Sequence, residues 1–426
     1  MSGALDTLRR ERWLVLLVAG GALLRLAWAT HAARNPVGVH DPGFYRLLAT
    51  QVANGNGYAY LDGGPSAYYP PGYVVSLVPL AWLIDRRWLP FEWWAGGIVV
   101  LNVLWQSIAL TATAITARRV VGRAAAGLVA AGVLALWPNL VQLAMVPLTE
   151  SLFLALVTSA IAVAVRAPWS AGWERWRIVV VGALLGGATL VRPITAPVFP
   201  LVLVVFLLSK IGWRRALLST VGVAAAAVVV LAPWLVRNVV VMDALTLSTN
   251  TGDNACMSRY VGAHGGYEDD ENPCFDDRPD LDRPAYEIEA DARGRDVAID
   301  FVRDHPAEEA RLWFRRIGAT FTDDADGLAA IESYGDDPFL ADGTRDALRA
   351  VATVYAFVAI ALAVPGAVLL ARRGPSGALV VLAGLGMLLP VVLFFGDPRF
   401  KVPVLPAVAV AIAALAYGRS SSSRST

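Results

Sequence analysis

Two carboxylates are the strongest candidates for acid–base chemistry in this sequence. Asp41 follows the first hydrophobic run and directly precedes Pro42. Glu150 is the only carboxylate between Glu92 and Glu174, and it opens another apolar run. A positioned carboxylate can accept the proton of a reacting hydroxyl group. Either residue can instead serve the end of its own helix, Asp41 as an N-cap and Glu150 through the helix dipole, so both readings stay open.

Arginines occupy the polar turns at the ends of several hydrophobic runs, among them Arg192, Arg237 and Arg399. Guanidinium groups stabilise the negative charge of a leaving phosphate, although arginines in such positions usually only anchor the membrane interface. A carboxylate, several arginines and an apolar flank together fit group transfer from a lipid-phosphate donor. The alternatives from other classes are a transporter of lipids or lipid-linked sugars and a non-catalytic protein of envelope assembly.

The elements that must position these side chains are predicted to be membrane-spanning helices. The chain is 56% hydrophobic and 17% charged, whereas soluble domains are about 45–50% apolar. About ten runs approach or reach the roughly 17–25 residues that a spanning helix needs. They cover 13–30, 93–116, 123–142, 147–165, 177–191, 194–209, 215–236, 350–371, 376–395 and 402–418. The series predicts an all-α polytopic membrane protein with about ten transmembrane helices.

Charge is distributed unevenly, which divides the chain into parts in different environments. Residues 242–350 hold 26 of the 35 acidic residues and only 11 of the 36 basic ones. We predict an N-terminal transmembrane catalytic module at 1–241, with its first outer loop at 31–92. An acidic extracytoplasmic domain at 242–349, C-terminal transmembrane helices at 350–418 and a disordered serine-rich tail at 419–426 follow.

Clusters of basic residues predict the orientation of the spans. Placing them in the cytoplasm satisfies the positive-inside rule; they are Arg9-Arg10-Arg12, Arg118-Arg119-Arg123, Arg166-Arg175-Arg177, Lys210-Arg214-Arg215 and Arg372-Arg373. Residues 72–85 then cannot span without reversing every later cluster, so they are predicted to form a re-entrant or interfacial helix on the outer side. Both termini are placed in the cytoplasm, with an uncleaved first span.

The first outer loop has a pattern of its own. Phe44, Leu47, Leu48 and Val52 form one apolar stripe, which predicts a helix on the membrane surface. Asn54-Gly55-Asn56-Gly57 predicts a turn, and the Tyr68–Tyr73 segment with its two prolines predicts an aromatic re-entry at headgroup depth.

Three smaller features give separate predictions. Cys256 and Cys274 lie in the predicted outer domain, where an oxidising compartment favours a disulfide over two free thiols. Arg25 in the first span can snorkel to the interface or face a polar cavity, and snorkelling is preferred. Asn102 and Gln106, four residues apart on one span, predict interhelical hydrogen bonds rather than ligand contacts.

Five short motifs in this order resemble those of bacterial polytopic glycosyltransferases of the GT-C architecture. The family's relatives include the protein mannosyltransferases and the aminoarabinose transferase of lipid A. The motifs are His40-Asp41-Pro42-Gly43-Phe44-Tyr45, Tyr69-Pro70-Pro71-Gly72-Tyr73, Thr149-Glu150-Ser151, Pro233-Trp234-Leu235-Val236-Arg237-Asn238 and Asp397-Pro398-Arg399-Phe400. Each motif alone is a weak signal, but their order and topological placement together are fairly specific, and they extend over nearly the whole chain.

The resemblance implies an enzyme of the bacterial plasma (inner) membrane with its active site on the outer face. The donor would be a polyprenyl-phosphate-linked sugar, and the acceptor an envelope glycan, lipid or protein rather than a nucleic acid. Transfer would invert the anomeric carbon, with Asp41 as general base and Glu150 as the second acid. The substrate-binding candidates are His40, Tyr45, Arg46, Tyr69, Arg192, Arg237, Asn238 and Arg399.

Two details depart from the family pattern. Tyr69 stands where such families often have a basic residue before the Pro-Pro pair, which leaves the donor phosphate to the four arginines. Some GT-C enzymes need a divalent metal and a paired acidic motif. Asp41 has no adjacent acid, so metal independence is favoured, no metal ligands are assigned, and no cofactor is certain.

Overall fold

The computed structural model describes residues 2–37, 40–166, 169, 172–267, 274 and 281–418, with side chains from residue 11 onward. The predicted tail at 419–426 lies outside the described residues. Within them the chain has no β-strand, only isolated bridges that join Ala59 to Pro65 and Gly266 to Gly396. The prediction of an all-α chain is thus confirmed for this part of the sequence.

The helices before the acidic region follow the predicted hydrophobic runs. They are α1 (Ser2–Ala32), α2 (Asp41–Ala53), α3 (Pro71–Asp85), α4 (Trp93–Val121), α5 (Ala124–Ala135), α6 (Pro138–Leu143), α7 (Glu150–Ala164), α8 (Arg175–Val191), α9 (Val198–Leu208) and α10 (Trp213–Val241). A 3₁₀ turn at Pro193–Thr195 joins α8 to α9.

The second half of the chain begins with short helices and returns to long apolar ones. These are α11 (Thr251–Cys256), α12 (Ala285–Asp304), α13 (Pro306–Thr320), α14 (Asp326–Ile331), α15 (Asp342–Ala371), α16 (Pro375–Gly386), α17 (Leu389–Leu393) and α18 (Leu405–Tyr417). A 3₁₀ segment at Pro398–Val404 precedes α18. Helix α15 runs across the predicted domain boundary at 349.

Six helices in the described residues are long and apolar enough to cross a membrane, which identifies a multi-pass membrane protein. They are Glu11–Ala32, Trp93–Val121, Trp213–Val241, Asp342–Ala371, Pro375–Leu393 and Pro398–Tyr417. Shorter apolar helices cover Pro71–Asp85, Ala124–Ala135, Glu150–Ala164 and Pro193–Leu208. The total of about ten spans and their orientation stay predictions.

Two glycines bring α8 into close contact with α10. A Cβ atom added at Gly182 would lie 2.4 Å from the Val223 carbonyl oxygen, and one at Gly186 would lie 2.8 Å from the Ala227 oxygen. Small residues four apart let membrane helices pack backbone to backbone. This contact fixes α8, whose C-terminal end carries Arg192.

Arg25 does not snorkel, and this preference was wrong. Its side chain is 1% exposed, and its Nε donates to Gln106 Oε1 at 2.5 Å. Its Nη1 donates to the Ala135 carbonyl oxygen at 3.0 Å, one of the oxygens that the end of α5 leaves without a partner. Buried acceptors on two other helices therefore hold the guanidinium inside the bundle.

The predicted interhelical hydrogen bonds of α4 are confirmed. Asn102 Nδ2 donates to the Val146 carbonyl oxygen at 2.8 Å, and Gln106 Nε2 donates to the Leu140 oxygen at 2.9 Å. Both acceptors lie in the segment between α5 and α7. These bonds fix the irregular chain that leads to Glu150.

Within the acidic region, α11 packs closely against α12. The predicted disulfide joins Cys256 to Cys274, with 5.8 Å between the Cα atoms. The Gly252 amide donates to Asp291 Oδ1 at 2.6 Å, and a Cβ atom at Gly252 would lie only 1.9 Å from the Asp291 carbonyl oxygen. Only glycine permits this approach, which locks α11 onto α12.

Candidate active site

A cavity of about 780 Å³ brings the two candidate acids together. Asp41 and Glu150 both line it, with Tyr45, Tyr69, Arg192 and Arg399 from the predicted set. Apolar side chains complete the walls, including Leu148, Val191, Pro193, Ile194, Ala196, Pro197, Leu389, Pro390, Leu393, Phe394 and Phe400. The cavity therefore combines acids, cations and a broad apolar surface.

Asp41 lies at the start of α2, but its side chain does not cap the helix. His40 occupies the N-cap position, and no side chain there makes a capping hydrogen bond. Instead Asp41 Oδ1 accepts a hydrogen bond of 2.8 Å from the Tyr69 hydroxyl, and Oδ2 lies 3.5 Å from Arg399 Nη1. The N-cap reading is wrong, and the carboxylate, 34% exposed, is directed into the site.

Tyr69 is held as a proton donor to Asp41. Burial and then the charge of Asp41 raise the pKa of its hydroxyl well above the usual value, so it keeps its proton at neutral pH. The Tyr58 hydroxyl donates to the Tyr69 carbonyl oxygen at 2.9 Å, and the ring of Tyr45 packs against that of Tyr69 with 4.9 Å between centroids. The Tyr68–Tyr73 segment thus orients the carboxylate.

Glu150 and Arg192 form a buried ion pair in the lining of the cavity. Arg192 Nη1 lies 2.6 Å from Glu150 Oε1, and the side chains are 13% and 3% exposed. Glu150 Oε2 is buried with no hydrogen-bond partner among the described residues. Arg192 follows α8 in an extended conformation, with φ at −146°, which directs its side chain back towards the first residue of α7.

The Asp397–Lys401 segment places the second guanidinium. Asp397 caps the 3₁₀ segment, since its Oδ1 accepts from the Arg399 amide at 2.7 Å, and the Arg399 Nε lies 3.4 Å from the same oxygen. Lys401, 2% exposed, lies 3.1 Å from Asp324 Oδ1, and Trp137 Nε1 donates to Asp324 Oδ2 at 2.6 Å. Buried contacts thus anchor the loop that carries Arg399.

A second buried carboxylate lies in this support. Asp326 Oδ1 accepts from Asn139 Nδ2 at 3.0 Å, but its Oδ2 has no partner within the described structure. Burial, and then the charge of Asp397, raise the pKa of Asp326 to about 7. The segment beneath Arg399 therefore contains a group that titrates near neutral pH.

The structure does not bring Arg237 and Asn238 to the cavity wall. Arg237 Nη1 donates to the Ser66 carbonyl oxygen at 2.7 Å, and Nη2 donates to the Tyr58 oxygen at 2.9 Å. Asn238 Nδ2 donates to the Thr246 oxygen at 2.7 Å. Because their donors are used by backbone carbonyls, these residues tie the first outer loop to the end of α10 instead of facing the cavity.

His40 and Arg46 also lie outside the cavity lining, although both flank Asp41 in sequence. His40 Nε2 is 3.0 Å from Asp336 Oδ2, and its ring packs on Tyr334, with 4.7 Å between the centroids. The Arg46 guanidinium lies over the Phe91 ring at 5.6 Å. Helix α2 therefore directs these two side chains to other surfaces.

The polar wall from the acidic region was missed by the sequence reasoning. Ser248, Asn250, Thr251 and Asn254 line the cavity together with Tyr68. The signal was the polar run between α10 and Cys256, to which the sequence reasoning assigned no site residue. This wall is uncharged although its parent region is strongly acidic.

No group of three or more His, Cys, Asp or Glu side chains that could hold a metal ion occurs within the part of the chain that the structure describes. Metal independence stays a prediction, because this observation concerns only ligand constellations.

Comparison with known proteins supports the fold. No protein-family model and no curated protein matches this chain. The archaeal oligosaccharyltransferase AglB from Archaeoglobus fulgidus, solved with an inhibitory peptide and a dolichol-phosphate, matches with a TM-score of 0.52 and 14% identity over 96% of this chain. ArnT from Cupriavidus metallidurans, bound to undecaprenyl phosphate, matches with a TM-score of 0.47 and 20% identity, covering 94% of this chain and 78% of ArnT. This chain spans 50% of the AglB chain and shares its fold, which agrees with the architecture that the motifs predict.

Proposed function

We propose that this protein is a membrane glycosyltransferase that moves a sugar from a polyprenyl-phosphate donor to an acceptor at the outer face of the membrane. The observation that carries the proposal is the single cavity shared by Asp41, Glu150, Arg192 and Arg399. The fold shared with AglB, which was solved with a dolichol-phosphate, supports a lipid-phosphate donor. The acceptor would be an envelope glycan, a lipid or a protein.

The donor is proposed to enter along the apolar walls and to place its phosphate between the two guanidiniums. Arg192 and Arg399 both line the cavity, and guanidinium groups form strong charge-assisted hydrogen bonds with phosphate. Negative charge grows on the phosphate as its bond to the sugar breaks, so cations fixed in advance stabilise the transition state. Glu150 keeps Arg192 in place through their 2.6 Å contact.

Asp41 is proposed to act as the general base. An acceptor hydroxyl gives its proton to Asp41 while its oxygen attacks the anomeric carbon. The bond from that carbon to the phosphate oxygen breaks, and the lipid phosphate leaves with the electron pair, so the anomeric configuration inverts. Tyr69 holds the carboxylate at 2.8 Å, and the 34% exposure of Asp41 leaves room for the acceptor.

The test is Asp41→Asn in purified protein reconstituted in nanodiscs. Radiolabelled polyprenyl phosphates that carry glucose, mannose, galactose or arabinose are supplied with an envelope extract as acceptor, and sugar transfer is measured. We expect a loss of about 10²–10⁴-fold, the usual contribution of a general base. Asp62→Asn is the matched control in the same loop, where the side chain is 63% exposed, and it should retain full transfer.

Two results would contradict the proposal. Full transfer by a correctly folded Asp41→Asn protein would remove Asp41 as the base. Movement of a lipid-linked sugar across sealed vesicles without any glycosidic product, undiminished in the variant, would favour the transporter. Thermal unfolding of each protein in the same nanodiscs separates loss of catalysis from loss of fold.

A further inference from the structure

The cavity wall formed by the acidic region differs in chemistry from the other walls. Besides Tyr267, its polar members are Ser248, Asn250, Thr251 and Asn254, all neutral hydrogen-bonding groups. Within the described residues, the side-chain amides of Asn250 and Asn254 make no hydrogen bond to protein. They therefore keep their donors and acceptors for a molecule in the cavity.

Helix geometry separates the ligand-facing side of this wall from its supporting side. Asn250 precedes α11, and Asn254 lies four residues later, on the same face of the helix. Gly252 lies on the other side, against the Asp291 backbone of α12. Before the helix, Thr249 Oγ1 donates to Glu287 Oε2 at 2.8 Å. The wall is thus rigidly held before any ligand arrives.

Acidic side chains near this wall are turned away from the cavity. Asp253 on α11 is 4% exposed, and its Oδ2 accepts from the Tyr68 hydroxyl at 3.1 Å. The two acids that do line the cavity each face a guanidinium, Glu150 at 2.6 Å and Asp41 at 3.5 Å. Each carboxylate in the described lining is thus already opposed by a guanidinium, so a cationic amino group on a sugar would have to compete with an arginine.

We propose that Asn250 and Asn254, with Ser248 and Thr251, form the subsite for the transferred sugar and select an uncharged, hydroxyl-rich sugar over an amino sugar. Amide and hydroxyl side chains complement sugar hydroxyls as both donors and acceptors. A site built to bond hydroxyl groups also rejects ligands that leave its polar groups unpaired. This inference rests on the proposed function, because that function supplies the phosphate position from which the sugar extends.

The experiment compares the binding of three probes to the full chain in nanodiscs. They are a short polyprenyl phosphate, the same lipid carrying glucose, mannose or galactose, and the same lipid carrying glucosamine. Wild type should bind at least one neutral hexose lipid about ten-fold more tightly than the bare lipid phosphate, the effect of one or two net hydrogen bonds. Asn250→Leu/Asn254→Leu should abolish that advantage and leave affinity for the bare lipid unchanged.

Two further variants make the result decisive. Asn254→Asp adds a carboxylate to the wall and should shift the preference towards the glucosamine lipid. Asn56→Leu, in an exposed turn where the amide bonds only to Gln51, is the matched control and should behave as wild type. The inference is overturned if the double variant keeps the hexose advantage, or if wild type prefers the glucosamine lipid.

Failure of the proposed function gives a different pattern, in which wild type binds neither the bare nor the sugar-bearing lipid. The wall is then tested with free methyl hexosides and a short hexose oligosaccharide by saturation-transfer NMR. Contact that is lost in Asn250→Leu/Asn254→Leu supports a sugar site that serves the acceptor instead of the donor. No contact in wild type overturns the sugar site itself.

Discussion

Replacing Arg192 by methionine tests whether the Glu150–Arg192 pair is one structural unit. The pair is close, at 2.6 Å, and the glutamate is only 3% exposed, while its second oxygen has no partner in the described structure. Arg192→Met therefore leaves a buried carboxylate without its paired guanidinium. Glu150→Gln leaves a guanidinium that borders an open cavity and still faces an amide oxygen. We expect the arginine variant to be the more damaging one.

The magnitudes follow from what each variant leaves behind. Removing one partner of a buried ion pair costs about 3–5 kcal/mol. We expect Arg192→Met to lower the free energy of unfolding by about 3–4 kcal/mol, the lower part of this range. The neighbouring cavity lets water reach part of the site and reduces the cost. A hydrogen bond from a charged donor contributes about 1.5–3 kcal/mol, and Glu150→Gln weakens this bond without removing it, so we expect a loss of about 1–2 kcal/mol. The double variant removes both charges and should be about 2 kcal/mol more stable than Arg192→Met alone.

Reversible unfolding by sodium dodecyl sulfate in mixed micelles, followed by tryptophan fluorescence, measures these differences at constant pH. Arg303→Met on α12 is the control, since Arg303 lies 3.5 Å from Asp300 and both side chains are largely exposed. It should unfold as wild type does. The reasoning that the pair is a buried unit would be refuted by either of two results. The two single variants lose the same free energy of unfolding, or the double variant loses the sum of the two single losses.

Three further variants test other contacts. Tyr69→Phe removes the donor to Asp41 and should lower kcat about ten-fold with little change in KM for the lipid donor; an unchanged kcat in steady-state transfer assays would remove Tyr69 as a positioning residue. Asp326→Asn should flatten the pH dependence of unfolding. The folded chain holds that proton up to about pH 7, whereas the unfolded chain releases it near 3.8, so wild type should lose roughly 2–4 kcal/mol as pH rises through this window. Parallel profiles for variant and wild type, from unfolding midpoints at about pH 5 and pH 8, would contradict this. Arg25→Met should destabilise the bundle by about 2–4 kcal/mol, and combining it with Gln106→Leu should add less than the sum of the single effects.

The helices were the most predictable part of the molecule, because each predicted apolar run contains helical structure. Run length and the aromatic, proline and glycine signals of the first outer loop suffice for this. The loop around Asn54–Gly57 is the predicted turn, with Gly55 and Gly57 both at φ of 79°. The break at Trp137 coincides with Pro138, a helix-start signal that the sequence does carry. The break at Leu388, within the run 376–395, was not predicted.

The meeting of Asp41, Glu150, Arg192 and Arg399 was also predictable, since all four were placed at one membrane face. The same argument failed for Arg237, because its donors go to the carbonyl oxygens of Ser66 and Tyr58. The sequence does not show which backbone carbonyl oxygens need a hydrogen bond from a side chain. An arginine at the end of a span thus looks identical whether it serves a ligand or the backbone.

The acidic region shows why the charge of a segment does not predict the charge of the surface that it gives to a site. Several of its acids are buried and used within the protein: Glu287 accepts from the Ala67 amide at 2.8 Å, Asp291 from the Gly252 amide at 2.6 Å, and Glu309 lies 2.7 Å from Arg316 Nη1. Two of these contacts join helices or residues within the acidic region. The bond from Ala67 attaches the region to the loop at 31–92. The wall that remains for the cavity is neutral, which suits the proposed lipid-phosphate donor, since unpaired carboxylates there would repel an anion.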